Sequence, residues 1–135
     1  MDMKRFVLAT VSAFIFVFIY EFIVHGFLMM GWYEQTSEVW RPEEESNMAI
    51  MFLSQFLFAA AIAFFYPIVG LDDDKCKKAI PFGIGLGLVM AMPQIATYCY
   101  LPIPLTISLL WALISFIKAL VASYIISKTY NWKRT

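Results

Sequence analysis

Apolar residues run along the chain in four long stretches that are separated by short polar segments. The stretches cover residues 6–32, 48–70, 79–101 and 104–127. Each reaches or exceeds the ~20 residues that an α-helix needs to cross the hydrocarbon core of a bilayer. The pattern predicts an all-α integral membrane four-helix bundle, with residues 1–135 forming a single domain.

The first stretch is too long for the apolar core of a signal peptide, and no small-residue cleavage site ends it. We therefore expect a retained helix without a break. Composition agrees with a membrane protein: 61% of the residues are hydrophobic, 15% are charged, and the mean hydropathy is +0.73. Soluble proteins carry about 25% charged residues. The zero net charge and the lack of a nucleic-acid, phosphate or zinc motif indicate no nucleic-acid partner and no cofactor.

Basic residues predict the orientation of the four spans. They flank the first span on its N-terminal side, lie between the second and third spans, and follow the fourth, whereas Arg41 alone lies between the first and second. Basic segments stay in the cytoplasm. We expect antiparallel spans with both termini cytoplasmic. The basic residues used are Lys4, Arg5, Lys75, Lys77, Lys78, Lys128, Lys133 and Arg134.

The loop between the first and second spans contains a helix-start pattern. Pro42 suits a first helical turn, and Glu43, Glu44 and Glu45 complement the helix dipole there. The second helix is therefore expected to begin near residue 42, outside the membrane. A cation site is an alternative interpretation of the same acidic cluster, and a solvated helix start is the simpler one.

Small residues recur at four-residue spacing in the third and fourth spans. Lipid provides no hydrophobic force between helices, so close packing depends on small side chains. These stripes favour a compact bundle with short connections. They are Gly83, Gly87 and Ala91 in the third span, and Ser115, Ala119 and Ser123 in the fourth.

Three ionisable residues fall inside predicted spans: Glu21, His25 and Lys118. A charge at the bilayer centre costs about 2.5–3.5 kcal/mol on insertion scales, so each is expected to face protein and find a partner. Glu21 and His25 share one helix face, four residues apart. At 1.5 Å per residue Glu21 lies about 15 Å, and Lys118 about 21 Å, below the outer ends of their spans. We predict a Glu21–Lys118 ion pair with His25 above it.

Gln55, Gln94 and Thr97 lie at similar depths, so all four spans could contribute to one polar cluster. One interpretation is structural: the pair and its hydrogen bonds fix the order of the helices. A second is a site for a small ligand or a proton, open to the outside.

A metal site formed by Glu21 and His25 with Met29, Met30 or Cys99 is a third and weaker interpretation, because this set falls short of standard ligand sets. A catalytic pair of His25 and Cys99 requires neighbouring helices, and we expect no enzyme activity.

Two segments, YEQTSEVWRPEEE (33–45) and YLPIPLTISLLW (100–111), together with the Glu21/His25 helix, resemble a family of small bacterial inner-membrane proteins with four predicted helices and no assigned activity. The resemblance implies fold and location and brings no catalytic residues. Small multidrug transporters also have four helices and a glutamate in the first. The intramembrane Lys118 and the acidic loop depart from that pattern.

The bulky aromatic residues Phe14, Phe16 and Phe18 span more than one face of the first helix. They favour contact with lipid or with another subunit. The leading hypothesis from sequence is a non-enzymatic accessory or stabilising subunit of a larger membrane complex, or a homo-oligomer. The alternative is a protein that binds or transports a small molecule or ion through the Glu21/His25/Lys118 cluster.

Overall fold

The computed structural model describes the backbone of residues 2–69 and 75–131 and the side chains of residues 2–69 and 78–130. The described part of the chain is all-helical: helices make up 85% of the described residues, and these residues include no strand. Some basic residues used to predict orientation lie outside this description: Lys133, Arg134 and the side chains of Lys75 and Lys77.

Five α-helices and four shorter helical turns make up the helical part of the described residues. A π-helical turn at Val24–Leu28 follows α1, and 3-10 turns lie at Ser37–Val39, Glu43–Glu45 and Thr97–Cys99. The α-helices are α1 (Met3–Ile23), α2 (Met30–Glu34), α3 (Met48–Phe65), α4 (Lys75–Ala96) and α5 (Leu105–Asn131).

Four helical segments are long and apolar enough to cross a membrane, as the hydropathy pattern predicts. Their mean hydropathies range from 1.6 to 2.4. The chain is therefore compatible with a multi-pass membrane protein. The segments are Met3–Leu28, Met48–Phe65, Lys78–Cys99 and Leu105–Tyr130.

The first span is not the unbroken α-helix that the sequence predicts. The backbone hydrogen bonds change from the α-helical to the π-helical pattern at Val24–Leu28, where the Met29 N–H donates to the Val24 carbonyl at 2.8 Å. A π turn adds a residue to one helical turn and shifts the side chains beyond it. No proline marks this place, and Gly26 alone in the turn has low helix propensity.

The second span begins later than predicted. Residues Glu43–Glu45 form a separate 3-10 turn, and Ser46 and Asn47 are extended, so α3 begins at Met48 instead of near residue 42. The Asn47 side chain accepts a hydrogen bond from the Ile50 N–H at 3.1 Å. Asparagine is among the strongest N-cap residues, which explains why the helix begins after it.

Glycines bring α4 and α5 into close contact, as the small-residue stripes predict. A β-carbon on Gly83 would lie 2.9 Å from the Leu120 Cα, and one on Gly87 would lie 2.7 Å from the Phe116 ring. A β-carbon on Gly85 would have no neighbour within 4 Å. The two helices therefore approach along Gly83 and Gly87, with Gly85 pointing away.

Aromatic side chains join α1 to α3. Phe18 stacks on Phe52 with ring centroids 4.9 Å apart, and Phe14 meets Phe56 edge-on at 5.7 Å. Phe16 packs on Tyr20 of its own helix at 5.5 Å. The alternating phenylalanines of the first span therefore all have aromatic partners within the chain.

Candidate ligand-binding site

Glu21 and Lys118 form an ion pair between α1 and α5, which is the pair that their depths predict. The Lys118 Nζ lies 2.5 Å from the Glu21 Oε1, and the two side chains are only 16% and 17% exposed. The ammonium also lies 5.4 Å from the centroid of the Phe58 ring on α3, a cation–π contact. The pair therefore lies where three helices meet.

His25 bridges the ion pair and the segment that follows the π turn. Its Nε2 lies 3.1 Å from the second carboxylate oxygen of Glu21. Its Nδ1 lies 2.5 Å from the hydroxyl of Tyr33 on α2, and the two rings stack almost parallel with their centroids 5.9 Å apart. Each ring nitrogen therefore has a hydrogen-bond partner.

Tyr33 connects His25 to α5. The Trp111 Nε1 donates to the Tyr33 hydroxyl at 2.8 Å. Burial raises the pKa of Tyr33 above its usual value, so the phenol keeps its proton at neutral pH. Trp40 packs edge-on against both rings, with centroids 5.3 Å from Tyr33 and 5.7 Å from Trp111.

The Trp111 ring nitrogen can only donate, so the Tyr33 oxygen accepts that hydrogen bond. The phenol oxygen has a proton and a second lone pair, so its hydrogen bond with His25 Nδ1 runs in either direction, depending on the histidine tautomer. Lys118 donates to the Glu21 carboxylate, and the charges of these two side chains balance.

His25 is the single histidine of the chain, so its two ring nitrogens give unambiguous ¹⁵N signals in histidine-labelled protein in nanodiscs. Tyr33→Phe removes the hydroxyl that bonds both His25 and Trp111 and is expected to shift the His25 Nδ1 signal. It is also expected to lower the free energy of unfolding by ~1–2 kcal/mol.

An unchanged Nδ1 signal in Tyr33→Phe would contradict the hydrogen bond between His25 and Tyr33. Tyr98→Phe is a matched control, because Tyr98 is exposed and does not line the cavity described next. It is expected to leave the His25 signals unchanged.

A cavity of about 1050 Å³ lies beside the polar cluster. Glu21, His25 and Lys118 form part of its wall, with Gln55 of α3. The remainder is largely apolar and aromatic, and includes Phe18, Phe22, Met51, Phe58, Trp40 and Trp111. Ligand pockets span roughly 300–1000 Å³ and combine apolar walls with a few polar groups.

The loop between α2 and α3 contributes the polar residues at one end of the cavity, Arg41, Glu43 and Ser46. Trp40 precedes them, and its Nε1 donates to the Thr36 Oγ1 at 2.9 Å. The loop is therefore held against the aromatic residues near the ion pair. Its residues place one positive charge, on Arg41, and one negative charge, on Glu43, at this end of the cavity.

Gln55 differs from the other polar residues of the cavity wall. Its Oε1 is buried and has no hydrogen-bond partner among the described residues. A buried carbonyl oxygen without a partner costs about 1–3 kcal/mol, so such groups are rare in folded proteins. The site therefore contains an acceptor that no described side chain or backbone group satisfies.

Gln94 and Thr97, which the sequence adds to the same cluster, lie elsewhere. The Thr97 hydroxyl donates to the backbone carbonyl of Gln94 at 2.6 Å and lies 3.1 Å from the Ser108 hydroxyl. Neither Gln94 nor Thr97 lines the cavity. The prediction of one cluster from all four spans is wrong in this respect, because equal depth does not place two side chains on facing sides of their helices.

Tyr33, Trp40 and Trp111 belong to the site, and sequence reasoning did not assign them to it. Tyr33 and Trp40 lie just beyond the first span, where tyrosine and tryptophan commonly anchor a helix at the membrane surface, so position alone does not indicate a site. The polar atoms of these rings could have indicated the site, because a buried tyrosine hydroxyl or tryptophan N–H usually forms a hydrogen bond.

The other sequence-based candidates lie outside the cavity wall. Met29 is buried with Val24, Ile103 and Ile107, and Cys99 is exposed beyond α4. Within residues 2–69 and 75–131 no three His, Cys, Asp or Glu side chains are grouped to hold a metal ion. Within that part of the chain, no further His, Cys, Asp or Glu side chain joins Glu21 and His25.

No protein-family model, curated protein or solved structure matches the chain. The function has to be inferred from the geometry and chemistry of the cavity.

Proposed function

We propose that this is a non-enzymatic integral membrane protein that binds a small ligand in the cavity between α1, α3 and α5. The observation that carries the proposal is the cavity itself, about 1050 Å³ in volume, with Glu21, His25, Lys118 and the unpaired Gln55 oxygen on its wall. Intramembrane ionisable residues beside a cavity are typical of binding sites.

The proposal includes four antiparallel spans in a bacterial inner membrane, with both termini in the cytoplasm. Contacts between α1 and α5 support this arrangement. The Arg5 side chain donates to the Tyr130 carbonyl at 2.8 Å, and the Tyr20 hydroxyl donates to the Ile114 carbonyl at 3.0 Å. With the basic residues in the cytoplasm, the cavity and the α2–α3 loop lie on the outer side.

Structural stabilisation explains the ion pair but does not explain the open cleft that reaches it. Exposed side chains such as Phe22, Met51 and Arg41 line this cleft together with the mostly buried Glu21 and Lys118. The cleft and the Gln55 oxygen, which has no partner among the described residues, therefore favour a binding role for the same residues.

The accessory-subunit hypothesis stays a prediction, and the structure weakens the main observation behind it. It rested on the aromatic residues of the first span, and Phe14, Phe16 and Phe18 are half-buried against aromatic partners of the same chain. The resemblance to small four-helix inner-membrane proteins also stays a prediction. It agrees with the proposed location and assigns no ligand.

Filling the cavity tests the binding role. Gly26 lines the cavity, and a β-carbon on it would meet only the Phe22 ring, at 3.9 Å. Gly26→Leu is therefore expected to place a side chain in the cavity without a clash. Small molecules that co-extract with the purified protein at unit stoichiometry, measured by mass spectrometry of organic extracts, are expected to fall about tenfold or more.

Gly31→Leu is the matched control, because a β-carbon on Gly31 meets nothing within 4 Å and Gly31 does not line the cavity. It is expected to retain the extracted molecule. Equal amounts from both variants, or none from the unchanged protein, would contradict the binding role.

A further inference from the structure

We infer that the ligand is a neutral amphiphile: an apolar chain that carries an uncharged head able both to donate and to accept hydrogen bonds, such as a hydroxyl or a primary amide. This inference rests on the proposed binding role and adds the chemical class of the ligand. It follows from three properties of the cavity, namely its charge balance, its unsatisfied hydrogen-bonding groups and its apolar wall.

The charges around the cavity already balance. The Glu21 carboxylate is neutralised by Lys118 at 2.5 Å, and its second oxygen is already engaged by His25 Nε2 at 3.1 Å. At the polar end, Arg41 and Glu43 contribute one charge of each sign. A charged ligand head would therefore enter a poorly solvated site without a free counter-charge, which is strongly unfavourable.

The hydrogen-bonding groups are not balanced in the same way. The Gln55 Oε1 needs a donor. The Lys118 ammonium has three N–H groups, and among the described residues it makes one hydrogen bond, to Glu21. The wall therefore offers an acceptor and spare donors, and both line the same cavity.

A hydroxyl meets both requirements, because it has one proton to donate and two lone pairs to accept. A ketone or ester only accepts, which leaves the Gln55 oxygen unpaired. An ammonium only donates and adds a charge, and a sulfonate only accepts and adds the opposite charge. The primary amide is the other common head group that is uncharged and does both.

The rest of the wall suits an apolar body. Phe18, Phe22 and Phe58 supply flat aromatic surface, and Met48 and Met51 supply flexible thioether chains that adapt to ligand shape. The stacked rings of Phe18 and Phe52 join α1 and α3 beside this wall. Entry is therefore expected from the end lined by Arg41, Glu43 and Ser46.

Three photoreactive probes with the same diazirine-bearing dodecyl chain test the head group. They are the alcohol, the sulfonate and the trimethylammonium, each added to the full-length protein in lipid nanodiscs. Labelling is mapped by peptide mass spectrometry. The alcohol is expected to label residues of α1 and α3 that line the cavity at least about tenfold more than either charged probe, which corresponds to about 1.4 kcal/mol.

Gln55→Met removes the unpaired acceptor at nearly constant volume and is expected to reduce cavity labelling by the alcohol about tenfold. Gln94→Met is the matched control, since Gln94 does not line the cavity, and it is expected to leave labelling unchanged. A variant that failed to fold would lose labelling at every site, so the labelling of lipid-facing residues by the same probe reports on folding.

The outcomes separate the two proposals. Preferential labelling of the cavity by the sulfonate or the trimethylammonium would overturn the neutral head and leave the binding role intact. Alcohol labelling that Gln55→Met does not change would also overturn it. If no probe labels the cavity and the protein yields no co-extracted molecule, the binding role fails as well.

Discussion

Lys118→Met is expected to lower the free energy of unfolding by about 3–5 kcal/mol, the usual cost of removing one partner of a buried ion pair. The Glu21 carboxylate would stay largely buried without the lysine charge, since the Glu21 side chain is only 17% exposed in the pair. It would keep its contact with His25 Nε2 at 3.1 Å and lose the ammonium partner. Unfolding by SDS in mixed micelles, followed by circular dichroism, measures the loss.

Two comparisons separate the lost pair from the lost lysine. Lys128→Met changes an exposed lysine on the same helix and is expected to have an effect within about 0.5 kcal/mol. The double variant Glu21→Gln/Lys118→Met leaves no unpaired charge and is expected to recover much of the stability. If Lys118→Met is as stable as the unchanged protein, the pair does not hold the helices together.

Gly83→Ala is expected to have the second largest effect, a loss of about 2–3 kcal/mol. Its β-carbon would lie 2.9 Å from the Leu120 Cα, so the backbones of α4 and α5 would have to separate. Helix association in lipid depends on such close contacts, because lipid offers no hydrophobic drive to replace them. The same SDS titration measures the effect.

Gly85→Ala, two residues further along α4, is the control, and its effect on the free energy of unfolding is expected to have the opposite sign. Nothing lies within 4 Å of its added β-carbon, and alanine loses less conformational freedom than glycine when a helix forms. It is expected to be unchanged or more stable by up to about 0.5–1 kcal/mol. Equal destabilisation by Gly83→Ala and Gly85→Ala would mean that helix propensity, and not the α4–α5 contact, determines the result.

The sequence predicts the helical spans and the ion pair because each follows from a strong constraint. An apolar run of about 20 residues has few alternatives to a membrane helix. A charge within such a run needs a partner of opposite sign, and the depths of Glu21 and Lys118 differ by about the length of a lysine side chain. Their contact across α1 and α5 could therefore be predicted from depth and side-chain reach.

The rest of the site depends on features that spacing does not determine. The π turn at Val24–Leu28 has no proline or repeat to mark it, yet it sets how α2 returns Tyr33 to His25. The contact between Tyr33 and Trp111 joins residues 78 positions apart. Such contacts result from tertiary packing, so the sequence identified the charged residues of the site and not the aromatic residues packed against them.

The depth of a residue in the membrane does not determine the face of the helix on which its side chain lies. This difference explains why one of two glutamines predicted at the site lines the cavity and the other does not. Gln55 and Gln94 were both expected in the cluster on depth. Gln55 lines the cavity, whereas Gln94 lies next to Thr97 away from it. A single sequence gives depth from the span ends, but it gives rotation only where small or polar residues repeat on one face.

Native mass spectrometry of the unchanged protein, extracted gently from its own membrane, tests the central claim most directly. The account predicts a protomer or small homo-oligomer that carries one discrete additional mass per chain, released on activation as a neutral amphiphile. A stoichiometric complex with a different membrane protein, in which the chain carries no additional mass, would contradict it. The Glu21–Lys118 pair would then be structural, and the accessory-subunit hypothesis would take the place of the binding role.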